Sequence, residues 1–105
     1  MFALIATFRV RSAAITNVVR AFKQEVLPLA EEQPGFLKAD LFTRSRLDKG
    51  VAVLFWDTEQ DARLFARGIG VQALLAPLEP FLVEPPVAEG YEPNVVGSFP
   101  AGTHP

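Results

Sequence analysis

Apolar residues recur at every second position in two stretches of the chain, residues 2–10 and residues 36–43. That spacing is the side-chain period of a β-strand, in which successive residues point to opposite faces of a sheet. A third stretch, residues 51–56, is apolar at every position. A strand of that composition is typically covered on both faces. The pattern therefore predicts three strands, and the third needs an apolar partner on each side.

A long stretch between the first two strands has helical spacing. From residue 13 to residue 32 the apolar positions fall three or four apart, with charged residues between them. Ser12 is expected to cap this helix with its hydroxyl. Pro28 is expected to kink the last turns, because proline lacks a backbone N–H and clashes with the preceding turn. Pro34 and Gly35 are expected to end the helix.

The segment after the third strand predicts a second helix. Thr58 is a suitable N-cap, and Asp61 stands three residues later, where it can complete the cap. Helical spacing continues until Gly68 and Gly70 interrupt it. A short further helix is then expected at residues 71–75.

Residues 87–91 alternate weakly and are expected to form a fourth strand at an edge of the sheet. The resulting order, β-α-β-β-α-β, is that of a ferredoxin-like α+β fold, a four-stranded antiparallel sheet with two helices on one face. The other face has no helix to cover it, although residues 51–56 present apolar side chains to it. Two copies packed sheet to sheet bury that face, and we therefore expect a homodimer.

Composition narrows the function classes. A chain of 105 residues has room for one domain, and its net charge of -2 argues against nucleic acid, which attracts basic surfaces. The sequence has no cysteine, so neither a disulfide nor a thiolate nucleophile is available. Residues 1–10 are mostly apolar but too few to span a bilayer, and they lack a basic leader. We expect a cytoplasmic protein without a membrane partner.

The chain is expected to divide into a folded domain, residues 1–92, and a C-terminal tail, residues 93–105. The tail is expected to pack on the domain or on the partner protomer, with three apolar anchors, Val95, Val96 and Phe99. The only histidine, His104, lies in this tail. No second histidine or carboxylate cluster accompanies it, so we expect no metal site. No phosphate-binding loop or nucleophile–base pair is present either, and we expect no cofactor.

Three short segments resemble a known family. They are LP at 27–28, EQPGFL at 32–37 and FWDTE at 55–59, separated by a strand and a charged turn. Their order and spacing resemble the antibiotic biosynthesis monooxygenase family of dimeric α/β barrels, over residues 2–92. The resemblance implies a homodimer whose two sheets form a barrel, and a pocket in each protomer between sheet and helices. Members of known chemistry include cofactor-free monooxygenases acting on phenols or quinols, and haem-degrading enzymes.

The haem-degrading members have a residue pattern that this chain lacks. The pattern combines an asparagine on the first strand, a tryptophan at the end of the third and a histidine nine residues later. Trp56 matches the tryptophan, but the first-strand position falls on Ala6 or Thr7 and the helix position on Phe65. Haem degradation by that pattern is therefore not expected.

Aromatic residues are the main candidates for ligand binding under this resemblance. Trp56 can stack on a planar ligand, or it can be a buried core residue. Phe22, Phe42 and Phe65 are expected to line the pocket, and core packing is the alternative for the last two. No residue presents itself as a catalytic acid or base.

Three polar residues complete the candidate set. Arg44 can pair with an anionic or phenolate ligand, or lie in solvent at the end of the hairpin. Tyr91, the only tyrosine, can hydrogen-bond a ligand oxygen, or act as an edge-strand lid. Asp40 lies two residues from Lys38 on the same strand face, so an ion pair between them is expected.

Two hypotheses about function follow. The first is a small homodimeric protein that binds a hydrophobic, aromatic molecule and oxygenates it without metal or cofactor, with Trp56 stacking on the ligand and Tyr91 and Arg44 hydrogen-bonding it. The second is a non-catalytic ligand-binding or assembly module with the same fold. An enclosed cavity with converging polar groups favours the first hypothesis, whereas a filled core favours the second.

Overall fold

The computed structural model describes residues 1–94, so the expected tail anchors and His104 lie outside the described residues. The strands are β1 (Phe2–Arg9), β2 (Phe36–Arg44), β3 (Lys49–Trp56) and β4 (Val87–Tyr91). The α-helices are α1 (Ile15–Ala21), α2 (Leu27–Glu31), α3 (Glu59–Arg67) and α4 (Gly70–Leu74). A π-helical segment (Phe22–Val26) joins α1 to α2, and 3-10 turns lie at Ser45–Leu47 and Ala76–Phe81.

The four strands form one antiparallel sheet in the order β2-β3-β1-β4. This order and the helices confirm the predicted ferredoxin-like α+β fold, including its fourth strand. β2 and β4 are the edge strands. One detail of β2 was predicted wrongly. A register shift between Phe36 and Lys38 takes Leu37 out of the alternation, so Leu37 is 50% exposed rather than packed on the same face as Ala39 and Leu41.

The helices cover one face of the sheet, which we call the inner face. On β3 the inner residues Ala52, Leu54 and Trp56 have no exposed surface at all. The residues between them, Val51, Val53 and Phe55, point the other way and remain half-buried. The uniformly apolar β3 thus has one fully packed side and one side that this single chain does not cover.

The first helix differs from its prediction at its start and in its middle. Ser12 does not cap it: α1 begins at Ile15, preceded by Ala14, and no side chain bonds to the N-terminal amides. Towards the other end, the chain widens into the π-helical segment, where the backbone N–H of Leu27 donates to the carbonyl of Phe22 five residues back. Pro28 follows directly after this segment, and the backbone stays helical on both sides of it, so its missing N–H falls inside a continuous helical run.

The π-helical segment keeps one row of side chains on the sheet. Val18, Phe22, Val26 and Ala30 are spaced four apart and are all buried. In an α-helix of 3.6 residues per turn, such a row drifts by about 40° with each step. The wider turn of a π-helix opposes that drift, so the same row stays in contact with the inner face.

The turn signals around the second helix are confirmed. The backbone N–H of Asp61 donates to the hydroxyl oxygen of Thr58 at 3.0 Å, and that hydroxyl donates to the Asp61 carboxylate at 2.9 Å. The short helix predicted at residues 71–75 appears as α4.

The predicted end of the first helix at Pro34 and Gly35 is also confirmed. Gly35 has a φ of 78°, and a Cβ there would lie 2.3 Å from the Asp61 carboxyl group, so only glycine fits this exit from α2.

Candidate functional site

A groove runs between the first helix and edge strand β2, and we call it the β2 groove. Its volume is about 570 Å³. One wall comes from α1, the π-helical segment and α2, and the other from consecutive residues of β2. The lining residues are Val19, Phe22, Lys23, Leu27, Ala39, Asp40, Leu41, Phe42 and Thr43.

The position of β2 at the sheet edge shapes this groove. Ala39, Leu41 and Thr43 alternate towards the helices, while Asp40 and Phe42 point to the opposite face and form the rim. Because β2 pairs only with β3 among the described residues, one row of its backbone N–H and C=O groups stays free along the groove. An apolar wall with hydrogen-bonding groups along one side suits a flat ligand that carries a few polar atoms.

The charged groups of the groove differ in their pairing. Asp40 is engaged by Lys38, whose Nζ lies 3.1 Å from the carboxylate, which confirms the predicted ion pair. The same Nζ lies 4.8 Å from the centre of the Phe55 ring, so Lys38 is held on the face away from the helices. Lys23 is exposed on the helical wall and has no salt-bridge partner among residues 1–94.

Trp56 lies in the core at the end of β3 that pairs with Phe36. The side chain is fully buried, with the Phe36 ring edge-on at a centroid distance of 5.8 Å and the Phe65 ring tilted at 4.7 Å. Its indole N–H has no acceptor among the described residues, which is costly for a buried donor. Trp56 and Phe65 do not line the β2 groove, and their predicted ligand contacts stay a prediction.

The other predicted site residues fall into two groups. Phe22 and Phe42 come together at the β2 groove, the first 3% exposed on the helical wall and the second 60% exposed at the rim. Arg44 and Tyr91 lie on the face away from the helices, on opposite edge strands. The Tyr91 hydroxyl donates to the Glu89 carboxylate, and this hydrogen bond and the carboxylate charge raise the pKa of Tyr91.

The face away from the helices, the open sheet face, has an ordered arrangement of side chains. Val53 and Ile5 are paired neighbours at its centre, and Phe55 lies beside them on β3. At one end, Arg44, Lys49 and Arg9 stand opposite one another across β2, β3 and β1, and we call them the cationic row. None of the three has a salt-bridge partner among the described residues.

Several groove residues carry no signal in the sequence that marks them as part of a site. Val19, Lys23 and Leu27 were assigned to a helix, and Leu41 and Thr43 to a strand, without any indication that the two elements meet. Periodicity gives the inward side of each element, but it does not say which strand forms the edge. The strand order supplies that information, and only tertiary structure fixes it.

Among residues 1–94 there is no group of three or more His, Asp or Glu side chains placed to hold a metal ion. No helix in the same range has the length and apolarity needed to cross a membrane.

Solved structures resemble this fold over nearly the whole chain. A monooxygenase from the gene ActVA-Orf6 of Streptomyces coelicolor, in complex with nanaomycin D, is 27% identical, with 95% of this chain and 92% of that one covered and a TM-score of 0.70. SnoaB of Streptomyces nogalater, a cofactor-independent oxygenase, is 17% identical, with 90% and 94% covered and a TM-score of 0.69. A candidate antibiotic biosynthesis monooxygenase of Bordetella bronchiseptica is 18% identical, with 90% and 97% covered and a TM-score of 0.74.

Comparison with curated proteins finds no match. The family model of the antibiotic biosynthesis monooxygenases, in contrast, matches residues 1–73, a span that includes every residue lining the β2 groove. The similar solved structures show the same fold, and that finding does not depend on the family-model match. The chain therefore belongs to the antibiotic biosynthesis monooxygenase family.

Proposed function

We propose that this protein is a homodimer that binds a hydrophobic aromatic molecule in the β2 groove and oxygenates it with O2, without a metal or an organic cofactor. The observation that carries the proposal is the groove itself. Its volume of about 570 Å³ lies within the range of roughly 300–1,000 Å³ typical of small-molecule sites. Phe22 on the helical wall and Phe42 at the rim give it two aromatic rings, which favours a planar ligand.

Two similar proteins support the chemical part of the proposal. The ActVA-Orf6 monooxygenase holds nanaomycin D, and SnoaB is a cofactor-independent oxygenase. Oxygenation of a phenol to a quinone without a cofactor balances when one O2 molecule supplies the new carbonyl oxygen and the oxygen of one water molecule. One atom joins the ring carbon to give a quinone, and the other leaves as water with the phenolic hydrogen and the ring hydrogen. The electrons come from the substrate's own anion, so the protein has to bind it, orient it and exclude water.

The open sheet face supports the homodimer. Val51, Val53 and Phe55 are half-buried in the single chain, and the opposing strand adds Ile5. Helices lie only on the inner face, so no described element covers this apolar surface. A second copy supplies an equal apolar surface, and two such faces in contact form the barrel that the family resemblance implies. The location of each groove at an edge strand leaves it clear of the sheet centre.

The non-catalytic module remains the second candidate, because a specific observation favours it. Trp56 is fully packed instead of lining an open cavity, and Asp40 is already engaged by Lys38. No unpaired carboxylate or histidine lines the groove to move a proton. The proposed oxygenation needs only a bound phenolate and O2, but simple binding needs even less. Oxygen consumption separates the two candidates.

The experiment measures ligand binding and O2 uptake with a panel of naphthols and hydroxyanthracenes. Phe42→Ser removes an exposed aromatic ring from the groove rim, and Leu64→Ser removes an exposed apolar side chain of α3 outside the groove. The expected result is binding and O2 uptake in the parent and in Leu64→Ser, with both reduced in Phe42→Ser. Binding without O2 uptake would support the module instead. No binding by any panel member, together with no ligand detected by native mass spectrometry after purification, would refute the proposal.

A further inference from the structure

The β2 groove carries one charge that nothing in the described chain neutralises. Asp40 at the rim is paired with Lys38 at 3.1 Å, so these two charges cancel locally. Lys23 on the helical wall has no such partner among residues 1–94. The other lining residues, apart from the Thr43 hydroxyl, are apolar. An apolar groove with a single free ammonium is therefore electrostatically positive.

The position of Lys23 follows from the π-helical segment. Phe22 and Lys23 are its first residues; Phe22 points into the core and Lys23 is exposed beside the groove. A lysine stem can lie along an apolar wall while its ammonium stays at the water-exposed edge. This placement lets the ammonium meet one end of a ligand whose rings lie against the apolar side chains of the groove.

We propose that Lys23 selects ligands that carry an anionic group, a carboxylate or a phenolate, at the end that emerges from the β2 groove. This inference rests on the proposed binding of an aromatic molecule in the same groove, and it adds that the molecule carries a negative charge. An ammonium favours the ionised form of a neighbouring acid. For a phenol, Lys23 therefore shifts the ionisation equilibrium towards the anionic form that gives up an electron to O2.

Lys23 is preferred over the other unpaired cations because of where they lie. Arg44, Lys49 and Arg9 form the cationic row on the open sheet face, and none of them lines the β2 groove. Their charges are separated from the groove by the sheet. A charge-removing variant in that row is therefore a matched control for a variant at Lys23, because both lower the net charge by one.

The test uses two fluorescent probes that share the same rings. One is 8-anilinonaphthalene-1-sulfonate, which is anionic, and the other is N-phenyl-1-naphthylamine, which lacks the sulfonate. Lys23→Gln is expected to weaken binding of the sulfonate about three- to fivefold, the range of an exposed ion pair, and to leave the neutral probe unchanged. Lys49→Gln is expected to change neither, and Lys23→Arg to retain the preference for the anion. Raising the salt concentration should reduce the preference in the parent protein.

The outcomes separate this inference from the function on which it rests. If Phe42→Ser weakens both probes but Lys23→Gln affects them equally or not at all, the groove binds aromatic molecules and the role of Lys23 is refuted. If Phe42→Ser and Lys23→Gln both leave the two probes unaffected, the probes do not bind in the groove, and the proposed function and this inference fail together. Selective loss of the sulfonate in Lys23→Gln alone supports the inference.

Discussion

Replacement of Trp56 tests how tightly the core is packed around this side chain. The side chain has no exposed surface and contacts the rings of Phe36 and Phe65. Truncation to alanine removes these contacts and leaves a cavity, which costs about 3–5 kcal/mol of unfolding free energy. Trp56→Phe keeps an aromatic ring and deletes the unpaired indole N–H, whose burial costs about 1–3 kcal/mol. The phenylalanine variant should therefore lose only about 0–2 kcal/mol.

The assay is urea unfolding followed by far-UV circular dichroism, with all variants at one protein concentration because the stability of the proposed dimer would depend on it. Leu64→Ala, which truncates an exposed residue of α3, is the control and should change stability by less than about 0.5 kcal/mol. A loss of only about 1–2 kcal/mol in Trp56→Ala would show that the indole borders empty space, as a ligand platform requires. Equal losses in the alanine and phenylalanine variants would refute the argument that the indole N–H is unpaired.

Three further predictions concern the open sheet face, the second helix and the tyrosine. Val53→Asp places a carboxylate at the centre of the open sheet face, where a dimer contact would bury it unpaired, so this variant should sediment as a monomer. A parent protein that is itself a stable monomer at micromolar concentration would refute the dimer. Thr58→Ala removes the cap that accepts the Asp61 N–H and should cost about 1 kcal/mol in urea unfolding, whereas an unchanged midpoint would contradict the cap's role. Glu89→Gln should lower the raised pKa of Tyr91 towards its ordinary value in an ultraviolet titration of this single tyrosine, because the neutral amide no longer opposes phenolate formation; identical curves would contradict the pairing.

The features that were predicted correctly depend on neighbours in sequence. Thr58 and Asp61 are three residues apart, and Lys38 and Asp40 are two apart on one strand, so local geometry decides both contacts. The strands follow from alternation for the same reason. The bulge at Leu37 was missed because its sequence does not distinguish a slipped register from a regular one.

The candidate site could be predicted only in part, because it depends on contacts between distant segments. Phe22 and Phe42 were named for their aromatic character, and the fold brings both to the groove. The sequence does not distinguish Lys23 from other solvent-facing lysines, because its position at the groove depends on the packing of the helix beside edge strand β2. Whether Trp56 is a core residue or a surface on which a ligand stacks depends on how closely Phe36 and Phe65 pack against it. Spacing along the chain does not reveal this packing.

The cationic row limits how two copies can stack. A two-fold axis parallel to the strands keeps each row at the same height, so Arg44, Lys49 and Arg9 of one copy would face the same three residues of the other. Like charges in such proximity repel. A two-fold axis that lies between the sheets and perpendicular to the strands reverses the strand direction of one copy relative to the other. The two cationic rows then lie at opposite edges of the contact. In the proposed homodimer, the three basic side chains would therefore favour crossed or reversed stacking over the aligned one.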